Sequence, residues 1–345
     1  MPGKNEILKS DLAAITAQPL PWSSFASKTI LISGISGFLP SYMAETLLYL
    51  NDSTPKFQCR VVGVARNADH AAKRFAHHGS RPDLEIIVQD ICEPLTLPGP
   101  VDFVIHAASQ ASPKYYGSDP AGTLGPNVLG THHLLAMAHA KKVQGFLFFS
   151  TSEVYGQVKD EIRENNFGLL DPASVRACYA ESKRMGETMC VAWTSQFGVP
   201  AKIVRPFHTY GPGMPLGDGR AHSDFVANVV HGRNITLHSD GSARRAFCYV
   251  ADAVAGFFTV LLLGAPGTAY NVGNPQGEVS MLELARLLAA EKGLSVTVDL
   301  QSRPAGYLPS VVDRVLPSIE KVKTLGWQPT TSLADGFRRT IASFS

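Results

Sequence analysis

The stretch Thr29-Ile30-Leu31-Ile32-Ser33-Gly34-Ile35-Ser36-Gly37 decides the fold of this chain. Its first four residues are β-branched and apolar, as a strand buried on both faces of a parallel sheet requires. Gly34 to Gly37 then read as a turn, and a helix-like segment continues to about Leu50. Strand, glycine turn and helix together form a seat for a dinucleotide pyrophosphate. Gly34 permits the tight turn, and Gly37 lets phosphates approach the N–H groups of Phe38 and Leu39 at the helix start. Pro40 stands where a third glycine or an alanine is usual. Its fixed φ suits a first helical turn, and the N–H it lacks would be unpaired there anyway. Its ring is expected to press on the close packing between helix and strand.

Outward from this unit, further strands fit 60–65, 84–88, 103–106 and 145–149, with a polar helical stretch after the second strand and a long helix between the last two. Strands alternating with helices imply an α/β, Rossmann-type parallel sheet covered on both faces. After Arg205 the texture changes: 206–246 and 276–320 are rich in Gly, Pro and polar residues, while 247–263 reads as a strand edge and apolar helix rejoining the main sheet. The expected division is a 1–27 N-terminal extension, a dinucleotide-binding domain from 28–205 plus 247–275, and a smaller, discontinuous substrate-binding lobe from 206–246 plus 276–345. The polar leader, ending in Pro19-Leu20-Pro21-Trp22, is expected to pack across the outside of the core.

Composition narrows the function. The 345 residues are 45% hydrophobic and 17% charged, with a formal charge of +2 and no basic block, so a nucleic-acid surface is not indicated. The longest apolar runs are too short to span a bilayer. Residues 1–20 mix Lys4 and Lys9 with Glu6 and Asp11 and hold no apolar core of signal-peptide type. The five cysteines, Cys59, Cys92, Cys178, Cys190 and Cys248, form no CxxC pair and suit a reducing, cytoplasmic setting. No metal site is read from the sequence: His77-His78 and His132-His133 lie on expected helices without convergent acidic or cysteine partners.

Tyr179 and Lys183 lie four residues apart, on one face of an expected helix. Ser150-Thr151-Ser152-Glu153-Val154-Tyr155-Gly156 ends the preceding strand, where this architecture places chemistry. A phenol beside an ammonium, with hydroxyls and a carboxylate in reach, suits removal of an alcohol proton while a hydride leaves the same carbon. The ammonium is expected to favour the phenolate, bringing Tyr179 closer to the pKa of a general base. At the end of the second strand, Ala65-Arg66-Asn67 replaces the carboxylate that would hold the adenosine ribose of NAD. Arg66 could pair with a 2′-phosphate, favouring NADP, stack on adenine, or be solvated, so NAD and NADP both stay open. Asp90 and Ile91 are placed to hold the adenine amine, and His106 to touch the cofactor-side loop.

From about Lys28 onward the chain resembles the extended short-chain dehydrogenase/reductase superfamily of nucleotide-sugar enzymes. Several stretches look like UDP-glucuronate decarboxylases: Ala108-Ser109-Gln110-Ala111-Ser112-Pro113-Lys114-Tyr115-Tyr116, then Pro120, Thr123, Asn127 and Gly130-Thr131. Others are Thr151 to Gly156, Val175-Arg176-Ala177-Cys178-Tyr179 with Lys183-Arg184, Met214, Asp218-Gly219-Arg220, Arg245 with Phe247-Cys248-Tyr249-Val250, and Leu325-Gly326-Trp327 with Pro329. The departures are Gln110 and Lys114 in place of prolines, Ala180 and Ser182 where Asp and Gly are typical, and His208 for Asn. Pro40 and the missing ribose carboxylate complete them.

The resemblance implies a tightly bound NAD or NADP held by Gly34, Gly37, Phe38, Leu39, Arg66, Asp90, Ile91, Ala107, Ala108, Asn127, Tyr179 and Lys183. It assigns catalysis to Tyr179, Lys183, Thr151, Ser152 and Glu153. A nucleotide sugar would be bound by Ser109, Tyr116, Arg176, His208, Arg220, Arg245 and Arg314, with Glu153 and Arg245 positioning its carboxylate. The implied reaction oxidises C4, loses CO₂ and reduces the ketone again; 4,6-dehydration and 4-epimerisation share its first step. A non-enzymatic sensor or scaffold is disfavoured by the intact Tyr179, Lys183 and Glu153. Relatives pair through helices near 120–140 and 179–195, implying a homodimer, and Leu134, Leu135, Val191 and Trp193 permit this.

Overall fold

A computed structural model describes residues 4–158, 160–301 and 313–344. In chain order its main elements are α1 (Lys4–Thr16), β1 (Thr29–Ser33), α2 (Phe38–Ser53), β2 (Arg60–Ala65), α3 (Ala68–Phe75), β3 (Leu84–Val88) and β4 (Phe103–His106). There follow α4 (Lys114–Ser118), α5 (Pro120–Gly125), α6 (Thr131–Lys141), β5 (Gly145–Phe149), α7 (Cys178–Phe197), β6 (Ala201–Pro206) and β7 (His208–Tyr210). The remainder comprises α8 (Ala221–Val230), β8 (Ile235–Leu237), β9 (Arg244–Tyr249), α9 (Val250–Leu263), β10 (Ala269–Val272), β11 (Glu278–Ser280), α10 (Met281–Ala290), β12 (Val296–Val298), β13 (Arg314–Val315), α11 (Glu320–Lys323) and α12 (Leu333–Ala342).

Seven parallel strands form one sheet in the order β10-β6-β5-β4-β1-β2-β3. The chain runs outward from β1 in one direction through β2 and β3, then returns to β4 and proceeds the other way. The strand order therefore reverses between β1 and β4, which opens a crevice at their carboxyl ends. Strand alternation divides the core between two faces. Ile30 and Ile32 pack with residues of α2 and α9 such as Met43, Leu47, Phe257 and Phe258, whereas Leu31 faces the opposite layer with Leu134, Leu135 and Cys190 from α6 and α7.

Three sequence expectations need correction. The helix expected between β4 and β5 is a rod over 120–141 whose middle, Pro126–Gly130, is wound as a π-helix. Pro126 lacks the N–H that an α-helical ladder would use there, and the wider turn absorbs the break. Strand β9 does not rejoin the main sheet. It pairs with β7, β11 and β13 in a second sheet, and α9 and β10 make the return. The leader, read as a polar strap, contains α1, which buries Ile7, Leu12 and Ile15 and packs on α2 and α9. Its buried Asp11 accepts hydrogen bonds from Tyr42 Oη (3.2 Å), Tyr249 Oη (2.8 Å) and Arg339 Nη1 (2.7 Å), which ties α1 to α2, β9 and α12.

Candidate active site

The phosphate turn has the backbone its sequence demands. Gly34 has φ of +70°, and a Cβ there would lie 2.7 Å from the Cα of Ala108. No other residue fits both constraints. Gly37 caps α2, and the first helical bond runs from Ser41 N to Gly37 O (3.1 Å). Phe38, Leu39 and Pro40 therefore precede the bonded ladder, so proline forfeits no hydrogen bond, as expected. The Pro40 ring lies 3.2 Å from where a Gly37 Cβ would be, so a larger residue there would crowd the proline.

A directed hydrogen-bond chain runs beneath this turn. The N–H groups of Ala107 and Ala108 both donate to Ser33 Oγ (3.2 Å each), which lies 2.7 Å from His106 Nδ1. On the far side of the ring, His106 Nε2 meets Thr131 Oγ1 (3.0 Å), whose own proton goes to Asn127 O (2.6 Å). The threonine proton is thus spent, so Nε2 donates and Nδ1 accepts from serine. Burial and the Lys183 charge push His106 down to about 3, which keeps the ring neutral. Asn127, inside the π turn, donates from Nδ2 to Thr123 O (3.0 Å) and to Ser182 Oγ (2.9 Å), and Ser182 donates to Tyr179 O (2.9 Å). Ser182 is one of the departures from the family pattern; here it joins the π turn to the tyrosine. Buried Ser109 Oγ and Asn127 Oδ1 have no protein partner among the described residues, leaving polar atoms available for a ligand. Arg66, exposed at the end of β2, acts on the Asp90 carboxylate; Asp90 is held below the usual carboxylate range chiefly by its bond from Cys92 N.

Residues Cys178–Phe197 form one helix, α7, carrying Tyr179 and Lys183 on its buried face. Lys183 Nζ donates to Phe149 O (2.6 Å), and burial lowers its pKa to about 7. The Tyr179 phenol is pushed up to about 12 by burial and by Glu153, partly opposed by Arg220, the Thr151 hydroxyl and Arg176. This corrects the expectation that Lys183 activates the phenol. The ammonium is turned to the strand carbonyl, and arginines supply the positive field.

Thr151 begins a short 3₁₀ turn, Ser152–Tyr155, and its Oγ1 accepts from Glu153 N (3.2 Å). That turn presents Glu153 to Arg176, Nη1 to Oε2 at 3.0 Å. The Arg176 guanidinium also covers the Tyr116 ring (4.6 Å), and Tyr116 stacks on Tyr179 with centroids 5.0 Å apart and planes at 15°. The sequence separates these groups widely and shows nothing of the stack. Arg220 reaches Ala111 O (2.7 Å) and pairs with Asp218 (3.2 Å).

The other substrate candidates lie on the second sheet. Arg245, on β9, donates to the carbonyls of Arg244 (2.7 Å) and Asp313 (3.2 Å) and repels a proton from half-buried His208. His208 is therefore held neutral, chiefly by burial, well below the ordinary histidine value. Arg314 forms a two-pronged pair with Glu278 (2.6 and 2.9 Å). Glu153 and Arg245 were expected to act together; the arginine that meets Glu153 is Arg176.

Comparison with known proteins agrees with this geometry. The model of the NAD dependent epimerase/dehydratase family matches residues 30–273. UDP-glucuronic acid decarboxylase 1 of Xenopus tropicalis is 36% identical over 92% of this chain and 72% of its own length. UDP-glucuronic acid decarboxylase 6 of Arabidopsis thaliana is also 36% identical, over 92% of this chain and 90% of its own. Among solved structures, the UDP-glucuronic acid 4-epimerase of Bacillus cereus, in complex with UDP-glucuronic acid and NAD, superposes with a TM-score of 0.76. It is 25% identical and covers 92% of this chain and 98% of the epimerase. No helix among the described residues is long and apolar enough to cross a membrane. A glycine turn under the reversal of strand order, a Tyr–Lys helix at the strand ends and these matches lead to one conclusion: the chain belongs to the NAD dependent epimerase/dehydratase family of enzymes.

Proposed function

We propose that the protein converts a nucleotide-linked hexuronic acid, UDP-glucuronate in the first instance, into the corresponding pentose by way of a transient 4-ketone. The observation that carries this reading is the Tyr179–Thr151–Lys183 cluster abutting an arginine-paired glutamate, in a chain 36% identical to UDP-glucuronic acid decarboxylases over 92% of its length. A bound oxidised nicotinamide dinucleotide supplies a hydride acceptor and a positive charge that lowers the phenol pKa. Gly34, Gly37 and the α2 N-terminus would hold its pyrophosphate, with Asp90 and Arg66 at its adenosine end.

Tyr179 then takes the C4 hydroxyl proton, with Thr151 and Ser152 orienting that oxygen. The ketone makes the C5 carboxylate a β-keto acid. The C5–C6 bond breaks, CO₂ leaves, and the electron pair passes into the C4 carbonyl. Protonation at C5 by solvent and re-reduction of C4 would complete the cycle, with Tyr179 restoring the hydroxyl proton and the dinucleotide supplying the hydride. Arg176 and Glu153 flank the departing carboxylate.

Two copies are taken to pair through the 120–141 rod and α7, where Leu124, Leu129, Met185 and Val191 are exposed. The five free cysteines fit a reducing compartment, the cytoplasm. Incubation with UDP-glucuronate should yield a product lighter by the mass of CO₂. An unchanged mass would instead identify an epimerase, and loss of water from a neutral hexose nucleotide a dehydratase.

A further inference from the structure

Remote from the Tyr179 cluster, the fold brings an acidic partner to the histidine pair expected to have none. Glu45 lies on α2 about two turns beyond the phosphate-binding end, and His77 and His78 form the 3₁₀ turn that follows α3. His77 Nε2 is 3.1 Å from Glu45 Oε1, and His78 Nε2 is 2.8 Å from Oε2. One donor atom from each residue lies within 4.8 Å of the others. The carboxylate is 7% exposed and the His78 ring 13%, whereas the His77 ring is 39% exposed. Two donors are thus already desolvated and the third borders water.

We propose that Glu45, His77 and His78 bind one divalent transition-metal ion of the Zn²⁺ class, with water completing its coordination on the His77 side. Two imidazoles and one carboxylate are the donor set that such ions take from proteins, and three protein ligands leave a position for solvent. With metal–ligand bonds of about 2.0–2.1 Å, tetrahedral geometry separates donors by roughly 3.3 Å. The two histidines approach the two carboxylate oxygens to 3.1 and 2.8 Å, and one donor from each residue already lies within 4.8 Å of the others, so side-chain rotation alone can gather them around one ion.

The protons also balance. Arg81 Nη1 lies 3.3 Å from His78 Nδ1, so Nδ1 accepts and Nε2 carries the proton directed at Glu45. Metal binding moves that proton to Nδ1 and frees Nε2 to coordinate; His77, which borders water, likewise coordinates through Nε2 with its proton on Nδ1, exchanged through solvent. The bond lost is the long one to Arg81, whose guanidinium stays on Asp83 (2.6 and 2.7 Å) and Asp52 (2.9 Å). The ion would fasten the turn after α3 to α2, bracing the helix that carries the phosphate turn. It takes no part in the chemistry at Tyr179, so the assignment stands or falls separately from the proposed reaction.

The test uses the full-length, tag-free protein stripped with a chelator and titrated with Zn²⁺ by calorimetry and with Co²⁺ by visible absorption. One ion per chain should bind, with Co²⁺ bands of four- or five-coordination and a raised unfolding midpoint. His77→Ala and Glu45→Gln should each weaken binding by at least the roughly tenfold that losing even an outer-shell partner costs. His132→Ala, in the other histidine pair, should leave binding unchanged. The solvent-bordering His77→Ala keeps the test decisive should Glu45→Gln misfold. Absence of a one-to-one site, or equal affinity in wild type and His77→Ala, would overturn the assignment.

Discussion

The two halves of the candidate cluster sit side by side but meet solvent differently. Tyr179, Lys183 and Thr151 are buried, at 5%, 2% and 9% exposure, whereas the Glu153 and Arg176 side chains are 35% and 51% exposed. In the buried half, charge is costly and position is fixed by hydrogen bonds to the backbone. Lys183 has lost much of its preference for the proton, and Asn127 and Ser182 pin the backbone of Tyr179. In the exposed half, an ion pair contributes only about 0–1 kcal/mol, so an arriving anion can take Arg176 from Glu153 at little cost. The buried half therefore suits a step common to the whole family, and the exposed half suits the step that sets the outcome.

The sharpest way to break this contrast is Tyr179→Phe. It should lower turnover by about 10²–10⁴-fold, as loss of a positioned acid–base does, with nucleotide-sugar affinity nearly unchanged by calorimetry. Retained turnover would remove the buried half from the chemistry. Next in size, Arg176→Ala should slow CO₂ release roughly tenfold or more while oxidation at C4, read as reduction of the nicotinamide by absorbance, persists. Equal loss of both would show that the two halves act as one.

Lys183→Met tests burial through stability. The unfolded lysine titrates near 10.5 and the folded one near 7, so the unfolded chain binds more protons between those values and stability rises with pH across that window. The contribution is fully present above pH 10.5 and lost as pH falls through 7. Methionine removes this penalty. After the bond to the Phe149 carbonyl is counted, the variant should be about 1–2 kcal/mol more stable at neutral pH, shrinking toward pH 10, by denaturant midpoint. A stability difference independent of pH would contradict a depressed lysine. Smallest is Arg66→Ala, which should weaken NADP binding several-fold more than NAD binding; equal effects on both would mean that Arg66 does not read the 2′ position.

Much of the buried half was legible in the sequence. The strands at 60–65, 84–88, 103–106 and 145–149 fall where expected, because parallel strands are short apolar runs closed by turn residues. The Tyr179–Lys183 spacing likewise carries its own geometry. The π turn left one sign, Pro126, which reads equally as an ordinary helix start. In α1, Ile7, Leu8, Leu12 and Ile15 form a helical stripe with Asp11 inside it, a signal that a polar average conceals.

The exposed half was not legible, because arginines look alike until the chain folds. The sequence favoured Arg245 as the partner of Glu153, and the 3₁₀ turn after β5 instead presents Glu153 to Arg176. Glu45 and the His77–His78 pair belong to different helical segments, so their convergence needed the packing of α2 beside the β2–β3 connection.

The most direct test of the central claim is incubation of the purified protein with UDP-glucuronate deuterated at C4, followed by mass measurement of the product. A transient C4 oxidation with decarboxylation predicts a pentose nucleotide that has lost CO₂ and kept the deuterium. A product of unchanged mass, or one that has lost CO₂ together with the deuterium, would contradict it.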